Sequence, residues 1–153
     1  MDIDCSKQLT EEFIRENQYE IDWYNISINQ KLNEKFIIEF QDKVNWWNIS
    51  ECQKLSEDFI REFQNKIDWY WISKYQKLSE EFIREFQDRV NWSYISRYQK
   101  LSEKFIKEFQ DKIDWDYLLD KYGYNYYIDS KRHLSFDDFV NLAIRLISLR
   151  SFQ

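Results

Sequence analysis

The sequence predicts an all-α protein, a short α-solenoid of five two-helix repeats closed by a helical C-terminal cap. Three observations favour this class. One motif recurs five times with a 23-residue period and no insertion or deletion, proline is absent, and glycine occurs once in 153 residues. Hairpins rely on glycine and similar residues for their turns, whereas helices avoid both glycine and proline. Self-similarity at a fixed period is typical of stacked arrays.

Four apolar columns define the repeat, which occupies residues 1–115 as one array. The columns are Leu9, Leu32, Leu55, Leu78 and Leu101; Phe13, Phe36, Phe59, Phe82 and Phe105; Ile14, Ile37, Ile60, Ile83 and Ile106; and Trp23, Trp46, Trp69, Trp92 and Trp115. Aromatic residues make up 20% of the chain, and each can bury a large apolar area. The columns therefore predict a core shared between neighbouring repeats.

The first helix of a repeat begins with a capping signal. In the fourth copy, Ser79 is a typical N-cap residue, and Glu80 and Glu81 fall in the first turn. Leu78 before the cap and Ile83 inside the helix form a hydrophobic staple. We expect a helix of about ten residues with an apolar face of Phe and Val at four-residue spacing.

A second capping residue follows within the same repeat. Asn91 precedes Trp92 and Ile95, and the equivalent residues elsewhere are Asp22, Asn45, Asp68 and Asp114. This predicts a second helix of about eight residues. Because helices this short are marginal alone, stacking between repeats must stabilise them.

The two ends of the array depart from the pattern. Asn17 stands where later repeats have Phe, which suits an uncovered first repeat. Residues 116–153 are predicted to be a C-terminal cap or docking segment. We expect Gly123 to end one helix, and Ser135 with Asp138 to begin another that runs to about Leu149 and packs Phe139, Leu142, Leu146 and Leu149 against the array.

Composition restricts the classes of function. The net charge is −6, which disfavours general nucleic-acid binding. No apolar run is long enough to span a membrane, and no signal peptide is visible. Cys5 and Cys52 lie two repeats apart, about 20 Å at helix-packing spacing, so we expect two free thiols and a cytoplasmic location.

The sequence offers no recognisable catalytic or cofactor-binding constellation. His133 is the only histidine and has no cysteine near it, so we expect a surface histidine rather than a metal ligand. There is no glycine-rich phosphate loop. We therefore predict a protein that is not an enzyme and that takes no cofactor or metal.

Variation between the copies suggests where a partner binds. The two positions after each Trp, and the two positions one turn later, differ from copy to copy while the rest of the repeat stays nearly constant. They share one face of the second helix. The predicted partner-binding residues there are Trp47, Tyr70, Trp71, Lys74, Tyr75, Tyr94, Arg97 and Tyr98. Trp, Tyr and Arg dominate interface energetics; alternatively, these rings fill space between repeats.

The motif also carries a resemblance. The run from Gln76 to Asp88, QKLSEEFIREFQD, followed by Asn91 and Trp92, resembles short tandem repeats encoded by large DNA viruses and bacteriophages. The resemblance covers residues 5–115 and implies a viral or phage origin, hence the host-cell cytoplasm, and no active site. By analogy, a small acidic phage protein of this kind is often an anti-CRISPR or other anti-defence inhibitor.

Three functions compete at this point. The first is a protein-binding inhibitor that covers a surface of a host defence complex, such as a nuclease or CRISPR effector. The second is an acidic nucleic-acid mimic occupying a cationic nuclease groove. The third is a structural or self-assembling scaffold. We expect a monomer or a weak homo-oligomer.

Overall fold

The computed structural model describes residues 3–121 and 140–145, and every regular element in this part of the chain is a helix. Its α-helices, in chain order, are α1 (Glu11–Glu16), α2 (Trp23–Asn29), α3 (Glu34–Glu39), α4 (Trp46–Cys52), α5 (Glu57–Glu62), α6 (Trp69–Tyr75), α7 (Glu80–Glu85), α8 (Trp92–Tyr98), α9 (Glu103–Glu108) and α10 (Trp115–Lys121). Residues 140–145 form a further helical segment, here called the C-terminal helix. The predicted fold class is confirmed.

The chain divides into two compact units. The first, Met1–Gln76, contains repeats one to three, and the second, Lys77–Gln153, contains repeats four and five with the C-terminal helix. Inside the first unit the second helices of successive repeats pack on one another, α2 on α4 and α4 on α6. Helix α8 packs on α10 in the same way inside the second unit.

The first helix of each repeat is short because its last turn is separated from it. In α5, the Ser56 hydroxyl oxygen accepts the Phe59 amide at 3.2 Å, as the capping signal predicts. Helical dihedrals stop at Phe63, whose carbonyl then accepts the amides of Lys66 and Ile67 in one isolated turn. The predicted helix of about ten residues is therefore a six-residue helix followed by that turn.

The second helix begins at the tryptophan of each repeat and is capped as predicted. The side chains of Asp22, Asn45, Asp68 and Asn91 accept amides in the first turns of α2, α4, α6 and α8. The indole nitrogen also closes the preceding turn, since Trp46 Nε1 donates to the Gln41 carbonyl at 2.8 Å. The tryptophan of each repeat thus marks the start of the second helix and bonds the turn that precedes it.

The apolar columns meet between repeats. The Trp46 ring stacks on Phe59 and Phe63 of the next repeat, with ring centroids 6.1 and 5.1 Å apart. In the second unit, Trp92 lies 6.2 and 5.0 Å from Phe105 and Phe109. The isoleucine column is fully buried at Ile37 and Ile60. Stacking therefore provides the core that a single repeat lacks.

A column of buried glutamines, which the sequence did not predict, connects the repeats of the first unit. Gln53 Oε1 accepts the Leu32 amide at 3.0 Å, and Gln53 Nε2 donates to the carbonyls of Ser27 and Gln30 at 3.0 and 2.8 Å. Gln76 repeats the pattern one repeat later. The glutamines satisfy backbone groups where one repeat passes to the next, which a buried linker requires.

A buried serine column makes a second connection. Ser50 is fully buried. Its hydroxyl donates to the Trp46 carbonyl in its own helix at 2.7 Å and accepts the Asp68 amide of the next repeat at 2.9 Å. The same hydroxyl thus holds the cap residue of the following repeat in place.

Surface charges also join repeats. Arg84 binds Glu108 of the next repeat through two nitrogens, at 3.0 Å from Nε to Oε1 and 3.0 Å from Nη2 to Oε2. The pair with Glu80 in the same helix is longer, 3.8 Å. Hydrogen bonding to Arg84 lowers the pKa of the Glu108 carboxyl. Arg15 and Glu39 form the matching pair in the first unit.

The C-terminal helix covers the last repeat. Val140 and Ile144 join Ile113 and Leu118 in one buried cluster. Its buried face is Val140, Ala143 and Ile144, whereas Leu142, predicted for that face, is half-buried. Several residues named in the sequence analysis fall outside the described part of the chain: Gly123, His133, Ser135, Asp138, Phe139, Leu146 and Leu149.

The first repeat is partly open, as Asn17 suggested. Phe13 is 38% exposed, while Phe36, its equivalent in the next repeat, is fully buried. Cys5 is buried, Cys52 is exposed, and both are free thiols. Among the described residues, no helix is long and apolar enough to cross a membrane.

Candidate partner-binding surface

Five of the eight predicted partner-binding residues come together in the first unit. Trp47 lies in the first turn of α4, Tyr70 and Trp71 lie in the first turn of α6, and Lys74 and Tyr75 lie in its last turn. We call these five residues the aromatic patch. Because α4 packs on α6, residues 24 positions apart in sequence become neighbours.

Trp71 is the centre of the aromatic patch. Its ring meets Trp47 edge-on with centroids 5.0 Å apart, meets Tyr70 edge-on at 4.8 Å, and stacks on Tyr75 at 5.5 Å with an interplanar angle of 10°. Edge-on and stacked contacts at these distances are favourable beyond simple burial. These contacts position the Trp71 ring against its three aromatic neighbours.

The outer rings of the patch remain accessible. The exposed fractions are 46% for Trp47, 43% for Tyr70 and 50% for Tyr75, and Trp71 is half-buried. Lys74 Nζ lies 5.2 and 4.7 Å from the ring centroids of Trp71 and Tyr75, within cation–π range. The rings thus fill space between repeats and also present apolar surface to solvent.

The other three predicted residues lie in the second unit. Tyr94 and Tyr98 are one turn apart in α8, with ring centroids 5.7 Å apart. Arg97 binds the Asp114 carboxylate at 3.0 Å and lies over the Tyr117 ring at 4.9 Å. Its guanidinium therefore connects α8 to α10.

Asp114 is the polar centre of this second group. Its Oδ1 accepts the Tyr117 amide as a helix cap, and its Oδ2 accepts the Ser93 hydroxyl and the Arg97 guanidinium. Burial alone raises the pKa of the Asp114 carboxyl, but these hydrogen bonds outweigh burial and the pKa is lowered. The carboxylate is thus fixed in its charged form.

The predicted site omits an exposed aromatic residue of the variable positions that follow each Trp. Tyr24 is 54% exposed and occupies the same column as Trp47 and Tyr70. The sequence did carry a signal for Tyr24, because the other two aromatic residues of its column, Trp47 and Tyr70, were predicted to lie at the surface. Tyr19, 88% exposed, lies under the Lys43 ammonium at 4.1 Å and belongs to a different column.

The aromatic patch offers groups that can make noncovalent contacts. Three accessible rings provide apolar and stacking contacts, the tyrosine hydroxyls provide hydrogen bonds, and Lys74 adds a positive charge. Within residues 3–121 and 140–145, no three His, Cys, Asp or Glu side chains are grouped to hold a metal ion.

Comparison with known proteins finds no family model, no curated protein and no solved structure that matches the chain. The class is therefore defined by the repeat and its surface: an all-helical tandem-repeat protein with an accessible aromatic patch on the second helices of its first unit.

Proposed function

We propose that this chain is a non-catalytic protein-binding repeat protein and that the aromatic patch is its contact surface. The observation that carries the proposal is the set of three accessible rings arranged around Trp71 by fixed contacts. Rigid aromatic anchors bind tightly because little conformational entropy is lost when a partner covers them.

The sequence variation supports the same surface. Positions that stack the repeats are nearly constant, while the positions of Trp47, Tyr70, Trp71 and Tyr75 change between copies. Scaffold residues must meet identical neighbours, whereas contact residues need only match the partner. The patch thus combines exposure with variation between copies.

An acidic nucleic-acid mimic is less well supported. Such a mimic needs rows of carboxylates directed outward, but Glu39 and Glu108 are bound by arginines of neighbouring repeats. Glu34 and Glu80 accept backbone amides at the N-caps that follow. These carboxylates serve the stacking of repeats.

A self-assembling scaffold also has less support. Stacking of one chain on another needs an open repeat face at each end. The face formed by Ile113 and Leu118 is covered by Val140 and Ile144, and Asn17 makes the first repeat more polar. We retain a host defence complex as the proposed partner, on the strength of the resemblance to viral and phage repeats.

The test is loss of binding on removal of the exposed rings. Wild type and a Trp47→Ala/Tyr75→Ala variant are used to capture proteins from host extract, and the Kd of the captured partner is measured by calorimetry. We expect affinity to fall about tenfold or more, with helicity by circular dichroism unchanged. Tyr19→Ala, an exposed aromatic outside the patch, is the matched control.

Two outcomes would contradict the proposal. Equal affinity of the double variant and wild type would remove the aromatic patch as the contact surface. A steep fall of affinity with salt, unaffected by loss of the rings, would favour the acidic mimic instead.

A further inference from the structure

A groove runs along the first unit where the second helix of one repeat passes into the first helix of the next. Its volume is about 570 Å³, and its surface is mainly apolar. It lies between the linker of the first repeat and that of the second, beside the ends of α2 and α4. We call it the linker groove.

Apolar groups line the linker groove. Ile28 is half-buried, Leu32 is buried, and Cys52 is exposed. Burial and the neighbouring Glu51 carboxylate raise the pKa of the Cys52 thiol, so the thiol is neutral near pH 7 and adds to the apolar surface. Gln30 and Gln53 also contribute, with their amide groups already bonded to backbone.

Two lysines give the linker groove its charge. Lys31 and Lys54 both line it, both are exposed, and neither pairs with a carboxylate of the described residues. Arg15, Arg61 and Lys66 of the same unit, by contrast, each bind a carboxylate. None of the described residues that line the groove is acidic, although the chain as a whole carries a net charge of −6.

The linker groove combines an apolar surface with the positive charges of Lys31 and Lys54. A complementary ligand carries acidic groups on either side of an apolar group. We infer that the linker groove is a second binding site and that it takes an extended acidic peptide segment of a protein partner. Carboxylates of the peptide bind Lys31 and Lys54, and an apolar side chain between them contacts Ile28, Leu32 and Cys52. A phosphate backbone would supply the charge but would leave the apolar surface uncovered.

The spacing of the repeats sets the spacing of the acidic residues. Lys31 and Lys54 are equivalent positions of adjacent repeats, which stack at about 10 Å. An extended chain advances about 3.3 Å per residue. Acidic residues four positions apart, with an apolar residue midway, lie on one face of the extended chain and span about 13 Å, a distance that two long lysine side chains can bridge.

The experiment is selection from a phage-displayed library of random nine-residue peptides. Against wild type, we expect enrichment of peptides with two Asp or Glu residues flanking Leu, Ile or Val. Charge reversal in Lys31→Glu/Lys54→Glu should lower the affinity of an enriched peptide about tenfold or more. Lys31→Gln/Lys54→Gln should lower it less. Lys35→Glu, an exposed lysine outside the groove, is the matched control.

Cys52 provides an independent measurement. It is the exposed thiol, while Cys5 is buried, so alkylation by iodoacetamide reports on the groove. An enriched peptide at saturation should slow alkylation of Cys52 at least severalfold, and a peptide with Lys in place of its acidic residues should not. Trp47→Ala/Tyr75→Ala should bind the peptide like wild type, which separates this site from the aromatic patch.

Three results would overturn the inference. They are enrichment without acidic residues, peptide affinity that survives charge reversal at both lysines, and tighter binding of a fifteen-residue oligothymidylate than of any enriched peptide. The last result would assign the linker groove to nucleic acid.

Discussion

Gln53 illustrates what a single side chain contributes to this fold. Its one amide group bonds the backbone at three points of the preceding repeat boundary, at Ser27, Gln30 and Leu32. Glutamine suits this role because its side chain offers both a donor and an acceptor. The sequence alone could not reveal the buried role of Gln53, since a column of glutamines next to lysines is typical of solvent-exposed positions. The apolar columns, in contrast, were readable because burial of Phe, Ile and Trp follows from their chemistry.

Replacing Gln53 should be costly. Gln53→Ala leaves the Leu32 amide and two carbonyls buried without partners, which we expect to lower the free energy of unfolding by about 2–4 kcal/mol. Urea unfolding followed by circular dichroism measures the change. Lys54→Ala, its exposed neighbour, should stay within about 0.5 kcal/mol of wild type. Similar losses in the two variants would mean that the glutamine column does not stabilise the stack.

At the level of elements, capping defines where helices begin. Ser56 and Asp68 each accept amides at the start of a helix, and both caps were predicted from residue type and position. The break at Phe63, after which one separate turn follows, was not predicted. The Phe63 ring meets Trp46 of the preceding repeat, but the same break occurs at Asn17, which has no ring, so that contact is not what ends the helix.

The cap of α10 predicts a pH dependence. Since the folded-state pKa of Asp114 is lowered from 3.8, its carboxylate stabilises the fold above that value, and this stability is lost as pH falls through the lowered pKa. Asp114→Asn should therefore be less stable by about 1–2 kcal/mol at pH 7. Urea unfolding between pH 7 and pH 2 should show the difference shrinking below about pH 3.8.

Asp111→Asn is the control for this measurement. Asp111 is exposed, so its replacement should change stability little at any pH. A difference between wild type and Asp114→Asn that stays constant across the pH range would show that the carboxylate charge is not what stabilises the cap.

For the whole molecule, the period, the two-helix repeat and the helical cap followed from the sequence, because each is set by local patterning. The candidate site was predicted only as a face of the second helix. Its division between the aromatic patch and the group around Asp114 depends on side-chain contacts such as the one between Arg97 and Asp114. The linker groove was not predicted, because two linkers distant in sequence form it together.

Closure of the second unit by the C-terminal helix can be tested directly. Val140 is 1% exposed, so Val140→Asp places a carboxylate in the cluster with Ile113 and Leu118. We expect a loss of about 3 kcal/mol or more in the free energy of unfolding, measured by urea unfolding with tryptophan fluorescence. Asn141→Asp, at an exposed position, should be near neutral. Equal stability of the two variants would show that the C-terminal helix does not close the unit.

The hydrogen bonds that join repeats have a short reach along the chain. Ser27 binds the amide of Asn45, 18 residues on, and its carbonyl accepts from Gln53, 26 residues on. Contacts between residues this close in sequence favour rapid folding. On the ribosome, a nascent chain can therefore complete its first repeat once the second and the start of the third have emerged. Within the first unit, each newly made repeat can then add to a template already in place, from the N-terminus onward.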